Sequence, residues 1–238
     1  MTASPSPLPF QQHRVSRRMK RGIDVVISLF GLILLLPIFG AVAAAIRLDD
    51  GGAVFFTQTR SGQHAVPFRI WKFRTLAPAQ PTDGPDPAHQ TDTDSPPAGI
   101  AIGDRTTRVG AFLRAWSLDE LPQLWNVLCG DMSIVGPRPT LPEQVARYEP
   151  HEMQRLAMPP GLTGWAQIHG RNALSWPERI DLDIWYVTHW RPALDFRILL
   201  RTPRVVLGRT GVHGTDGVNP DFRPVESSRS TPSSSSSS

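Results

Sequence analysis

Between Val25 and Ile46 the chain carries no charged residue, and the run is apolar on every side of a helix, most densely at Leu32-Ile33-Leu34-Leu35-Leu36. As a helix it is about long enough to cross the ~30 Å hydrocarbon core of a bilayer. No 3.6-residue polar stripe interrupts it, which argues against a helix lying on a soluble core. The flank Arg47-Leu48-Asp49-Asp50 lacks the small residues of a leader cleavage site. Pro37 lies inside the run, and an interior proline removes one backbone hydrogen bond and kinks the rod. The pattern therefore predicts either a straight span or a helix that dips into one leaflet and returns.

Beyond this segment the periodicity changes. Ala53 to Gln58 and Phe68 to Phe73 read as two short strands around the turn Ser61-Gly62-Gln63, a β-hairpin. Val109, Phe112 and Leu113 share a helical face, and Leu121, Leu124, Trp125 and Leu128 repeat at helical spacing and are expected to pack inward. Further helices are predicted over Leu141 to Ala157, Trp176 to Trp190 and Ala193 to Leu207. The last mixes Phe196, Leu199, Leu200, Val205 and Val206 with Arg197, Arg201 and Arg204, a composition suited either to a membrane surface or to closing the core. The expected fold class is α+β, mainly helical, with a small hairpin, amphipathic surface helices and one N-terminal hydrophobic helix.

Composition sets the boundaries. With 238 residues the chain holds one globular core plus tails. Residues 1–13 and the serine-rich 213–238 have too little apolar surface to offset the entropy of ordering and are expected to be disordered. Residues 14–48 form the basic flank and membrane helix, and 49–212 a catalytic domain. Within it, 78–99 is dense in Pro, Asp and Thr and reads as a flexible insertion. A net charge of +4 and a pI near 10.0 favour anionic partners. Arg14, Arg17, Arg18, Lys20 and Arg21 stand just before the apolar run, where each charge would gain about 1 kcal/mol from anionic lipid and hold that end cytoplasmic. No interleaved basic and aromatic face supports a nucleic-acid partner. Cys129, the only cysteine, excludes an intrachain disulfide and a multi-thiolate zinc site.

Candidate chemistry centres on Ser117-Leu118-Asp119-Glu120-Leu121-Pro122. Ser117 and Glu120 match a helix capping box, which is a purely structural explanation. Its neighbours add a chemical one: Arg114 one turn upstream, Arg138 between two prolines in Gly-Asp-Met-Ser-Ile-Val-Gly-Pro-Arg-Pro, and Lys72 and Arg74 flanking Phe73. Such cations bind phosphate oxygens, a carboxylate beside them can attack phosphorus, and a second carboxylate can help hold Mg²⁺. The glycine-bearing loops Pro159 to Trp165 and Gly170-Arg171-Asn172 bring backbone close to a ligand but lack a Walker A pattern. His169 is isolated and supports no metal site, and neither G-x-S-x-G nor H-E-x-x-H is present.

From about Lys20 to Val212 the order of motifs resembles the bacterial sugar transferases, the monotopic phosphoglycosyl transferases. The resemblance runs through Lys20-Arg21-x-x-Asp24, Gly52 to Gln58, Lys72-Phe73-Arg74-Thr75, Leu113-Arg114-x-x-Ser117 to Gln123, Gly130 to Pro139 and Pro160 to Gly164. It implies transfer of a sugar-1-phosphate from a UDP-sugar to undecaprenyl (polyprenyl) phosphate, with UMP released, as the first step of lipid-linked glycan assembly. It further implies Asp119 as the nucleophile of a covalent phosphosugar intermediate and Glu120 as its partner with Mg²⁺. Arg114 and Arg138 map to phosphate binding, with Lys72, Arg74, Asp183 and Asp195 as further members of the site. A re-entrant helix kinked at Pro37 follows too, placing both ends on the cytoplasmic face of the bacterial inner membrane. This chain has Leu36 where members often place a serine before that proline, and it shows no counterpart of the extra multi-helix membrane domain of larger members. A homodimer is compatible with the sequence. The competing expectation is a non-catalytic membrane scaffold for glycan assembly, which would not need Asp119, Glu120, Arg114 and Arg138 together.

Overall fold

The computed structural model describes residues 14–77 and 105–208. Both tails and the insertion expected at 78–99 lie outside the described residues.

Helix α1 spans Arg14–Asp50 as one element with Pro37 inside it, about 55 Å of helix. One face packs on the protein along its length: Lys20, Asp24 and Ser28 are buried, Leu32, Leu35 and Phe39 partly buried, and Val42 and Ile46 buried again, in steps of three and four residues. The hydrophobic pattern hid this stripe because the residues on the opposite face are apolar as well. Phe30, Ile33, Leu34 and Leu36 point away from the protein and are 60–65% exposed. Among the described residues this is the one helix long and apolar enough to cross a membrane. Its two ends nonetheless rest on the same body, Lys20 and Asp24 against strand and helix residues near 135 and 195, and Val42 and Ile46 against Phe73 and Leu113.

The hairpin forms as expected and extends further. Strands β1 (Phe55–Ser61) and β2 (Pro67–Phe73) pair antiparallel, with Phe56 opposite Lys72 and Ser61 opposite Pro67. Helix α2 (Arg108–Ala115) is capped by Thr107, whose hydroxyl accepts from the Gly110 amide. A 3₁₀ turn, Leu118–Glu120, leads into helix α3 (Gln123–Cys129). Leu124 packs on α1, its Cδ1 reaching to within 3.2 Å of where a side chain on Gly31 would begin. Trp125, expected inside, is 51% exposed, because the shift from 3₁₀ turn to α-helix moves it off the buried face.

Two features depart from the sequence reading. The helix expected over Leu141 to Ala157 is broken into α4 (Pro142–Val145) and a 3₁₀ helix (Glu152–Ala157), since Pro150 disfavours helical geometry at the residue before it. And Ser133–Val135 (β3), for which no element was predicted, pairs in parallel with Gly161–Thr163 (β4), where a glycine-bearing loop was expected. The second pairing depends on close approach: a Cβ on Gly161 would lie 2.0 Å from the Gly136 nitrogen. Helix α5 (Trp165–His169) follows β4, and α6 (Trp176–Thr188) and α7 (Pro192–Leu207) match the last two predicted helices closely. The main core joins Ile70, Leu124, Val127, Met132, Ile134, Tyr186, Val187, Leu194 and Ile198, so α6 and α7 close over β3 and α3.

Gly161→Ala is expected to destabilise the protein by about 1–3 kcal/mol through overpacking against backbone that cannot yield. Gly22, with nothing within 4 Å of an added Cβ, is the control, and its alanine variant should melt no lower than the wild type. Thermal unfolding followed by circular dichroism in detergent compares the two; equal melting of Gly161→Ala and wild type would rule out the close packing.

Candidate active site

Asp119 and Glu120 sit side by side on the 3₁₀ turn between α2 and α3 and are both buried, 6% and 8% exposed. The capping-box explanation of this segment fails. Ser117 makes no side-chain cap and adopts φ 55°, ψ 25°, a left-handed conformation. This reversal ends α2 and turns the two carboxylates inward, towards β2.

Cations meet them from three elements. Lys72, at the buried end of β2, places Nζ 3.2 Å from Glu120 Oε1. Arg138 donates from Nη2 to the same oxygen at 2.7 Å and faces Oε2 with Nη1 at 3.5 Å. Arg114, in the last turn of α2, acts on Asp119 electrostatically. The two neighbouring acids therefore differ in environment. Glu120 is tied to two cations, whereas burial pushes the Asp119 carboxyl up from 3.8 to about 6, opposed by Lys72, reinforced by the Glu120 charge and opposed again by Arg114. Near neutral pH Asp119 is ionised but more basic than an ordinary carboxylate, the state suited to nucleophilic attack.

The segment carrying Arg138 is fixed from all sides. Gly136 N donates to Thr163 O at 2.9 Å, Ser61 N donates to Thr140 O at 2.8 Å, and Arg155 Nη2 donates to Arg138 O at 3.2 Å. Arg155, missed in the sequence, is fully buried and also donates to Tyr148 and Asp183. Asp183, expected to bind substrate, is 1% exposed, pairs with Arg155 and feels the charge of Arg138.

Two further expectations are revised. Arg74 pairs with Asp50 at the end of α1, its guanidinium lying against Gly52, where a side chain would block it. Asp195 is taken up by structure: it accepts from Lys20 at 2.7 Å, from Tyr186 at 2.6 Å and from the Trp190 indole at 3.2 Å. Lys20, read as a lipid-facing cation, is thereby buried, and Arg21 donates to the Val127 and Leu128 carbonyls at the end of α3. Sequence reasoning had no signal for these pairings, since Lys20 and Asp195 lie 175 residues apart.

The family model for bacterial sugar transferases matches residues 15–209. The chain belongs to this family. An uncharacterised sugar transferase of Bacillus subtilis, EpsL, is 40% identical over 84% of this chain and 93% of its own length. The Escherichia coli UDP-glucose:undecaprenyl-phosphate glucose-1-phosphate transferase is 37% identical over 79% of this chain. The Salmonella typhimurium undecaprenyl-phosphate galactose phosphotransferase is 37% identical over 84%. Some relatives are thus matched nearly end to end, while the chain spans only 40% and 43% of the last two.

The raised Asp119 carboxyl has a stability consequence. The folded state binds that proton more tightly than the unfolded chain does, so stability is full below about pH 4 and declines as pH rises towards about 6. Asp119→Asn carries no such dependence. Between pH 4 and pH 7 the variant is expected to gain roughly 2 kcal/mol relative to wild type, read from urea unfolding at each pH. A difference that does not change with pH would show that Asp119 titrates as an ordinary carboxylate.

Proposed function

We propose that this chain transfers a sugar-1-phosphate from a UDP-sugar to undecaprenyl phosphate through a covalent intermediate on Asp119. The carrying observation is the pair of adjacent buried acids held in unlike states, Glu120 bound to Lys72 and Arg138 and Asp119 with a carboxyl raised to about 6. The names of the relatives, which describe UDP-sugar and undecaprenyl-phosphate chemistry, support the substrate classes.

In the first half-reaction an Asp119 carboxylate oxygen bonds to the phosphorus that carries the sugar. The bond from that phosphorus to the bridging oxygen breaks, and UMP leaves with the oxygen and its electron pair. Arg138 and Arg114 bind and orient the phosphate groups, and guanidinium forks hold such oxygens bidentately. Lys72 fixes Glu120 and moderates the charge of the dyad. In the second half-reaction a phosphate oxygen of the polyprenyl acceptor attacks the same phosphorus. The carboxylate departs, giving a polyprenyl diphosphate sugar and free Asp119. Two alternating half-reactions imply ping-pong kinetics.

Two adjacent carboxylate side chains are the hard oxygen donors that Mg²⁺ takes, so Asp119 and Glu120 fit that ion. Among the described residues no group of three or more His, Cys, Asp or Glu side chains converges, so further ligands would come from substrate phosphates and water. When bound, Mg²⁺ would neutralise diphosphate charge.

The acceptor is a lipid, and α1 supports access to it. Both ends of α1 rest on one polar body, and its outward face is apolar, which favours a helix that dips into one leaflet over one that spans it. Arg197, Arg201 and Arg204 with Phe196 and Leu200 are exposed on α7 and suit the same surface, with the site on the cytoplasmic face. A scaffold without catalysis gives no reason to bury two acids against three cations.

The test is UMP release from UDP-glucose, UDP-galactose and UDP-N-acetylglucosamine by detergent-purified protein with Mg²⁺ and undecaprenyl phosphate. One donor should be turned over, with a rate that falls on the acid side of about pH 6 as Asp119 protonates. Asp119→Asn should lose at least about 10³-fold. Full activity in the folded variant would remove Asp119 as the nucleophile.

A further inference from the structure

Four non-glycine residues have positive φ among the described residues, and two of them face each other beside the dyad. Ser117 has φ 55° and Arg171 φ 53°. Arg171 Nη2 donates to Ser117 Oγ at 2.8 Å, across 54 residues of sequence. Left-handed backbone is costly for a side chain with a Cβ and persists where surrounding contacts over-determine it. Ser117 lacks the local compensation of a helix cap, and its backbone amide is satisfied by Arg114 O at 3.1 Å.

The conformation of Ser117 decides where the acids point. Helix α2 stops at Ala115 and α3 starts only at Gln123. Were Ser117 to relax to right-handed geometry, α2 would run on through residues 118–120 and carry each carboxylate about 100° further round per residue. Neither acid would then keep its place against Lys72. Arg171 comes from the segment after β4, the strand paired with β3 and hence with the Arg138 loop. One short stretch of chain thus fixes both sides of the site. Arg171 Nη1 is buried with no partner among the described residues, so the contact with Ser117 carries the orientation of the guanidinium.

We infer that Arg171 is a positioning residue, which clamps Ser117 in its left-handed turn and thereby aims Asp119 and Glu120 at the reacting phosphorus. The inference rests on the proposed role of Asp119. It assigns Arg171 no contact with substrate.

The experiment measures UMP release by the full chain in detergent, with the three UDP-sugars above, for wild type, Arg171→Ala, Ser117→Ala, Arg171→Ala with Ser117→Ala, and Arg171→Ala with Ser117→Gly. Arg171→Ala is expected to lower kcat about 10- to 100-fold, the scale of a roughly 1 Å misplacement, with KM nearly unchanged. Ser117→Ala removes the same hydrogen bond and carries the same expectation, which keeps the test open if Arg171→Ala fails to fold. Glycine adopts φ 55° without strain, so Ser117→Gly should recover part of the kcat lost in Arg171→Ala, whereas Ser117→Ala should recover none. A raised KM with kcat intact would make Arg171 a direct substrate ligand and overturn the inference. So would an unchanged kcat, or a loss that glycine at 117 does not relieve. Wild type that releases no UMP from any of the three donors overturns the functional reading itself, and the inference with it.

Discussion

The buried tie from the start of α1 to α7 and β3, an ion pair and a set of hydrogen bonds, organises the rest of the molecule. Lys20 Nζ lies 2.7 Å from Asp195 and donates to the Val135 carbonyl at 2.8 Å. One turn later Asp24 accepts from the Ser133 hydroxyl at 3.0 Å and from the Ile134 amide at 2.9 Å. Buried ion pairs add little net stability, yet breaking one leaves an uncompensated charge and costs about 3–5 kcal/mol. Their value here is register. An apolar helix face tolerates sliding along an apolar partner, whereas a lysine and an aspartate one turn apart admit one docking position. That position is read out directly by β3, which runs into Gly136 and Arg138, so the helix proposed to enter lipid and the loop that binds Glu120 share one anchor.

A second balance operates in the site. Two carboxylates face three cations, so the site is positive before a diphosphate arrives, which suits anionic substrates. The charges are shared unequally. Glu120 takes the direct bonds from Lys72 and Arg138, while at Asp119 burial outweighs the neighbouring cations and raises the carboxyl to about 6. Adjacent acids given different environments can serve different roles, and a pair equally bound to cations would lack a nucleophile. The conformation at Ser117 imposes this division, since it sets which side chain meets which cation.

Much of the fold was legible. The hairpin, the last two helices and the long apolar helix follow from strand alternation, helical spacing and length, each local in the chain. Asp119, Glu120, Lys72, Arg114 and Arg138 were singled out from residue type and motif order, and the structure places all five near one another. What escaped was non-local or too short to show a period. Strands β3 and β4 have three residues each and look like glycine loops, and the buried face of α1 could not be seen against an equally apolar outward face. Arg74, Asp183 and Asp195 are of the right type for a site but pair elsewhere, with Asp50, Arg155 and Lys20. Charge identifies candidates; only three-dimensional pairing separates a ligand-binding cation or acid from a structural one. The local rule that misled most was the capping box at Ser117, which the left-handed turn replaces.

The outward face of α1 leaves apolar surface without a protein partner among the described residues. Fully burying a side chain of the size of Leu, Ile or Phe is worth about 1.5–3 kcal/mol, so covering the exposed 60–65% of Phe30, Ile33, Leu34 and Leu36 is worth about 4–7 kcal/mol in all, comparable with the net stability of a small domain. On the membrane reading proposed above, lipid supplies that burial. The inward face of the same helix supplies the register, through Lys20 and Asp24. Insertion depth and site orientation would thus become one variable, because the outward apolar residues and those that hold β3 lie on opposite sides of a single helix. A lipid phosphate acceptor needs its phosphate at the headgroup level while its chain stays in the leaflet. A helix that carries the strand feeding Arg138 at one end and packs on Phe73, beside Lys72, at the other can hold the Asp119 and Glu120 carboxylates at a fixed height above that surface.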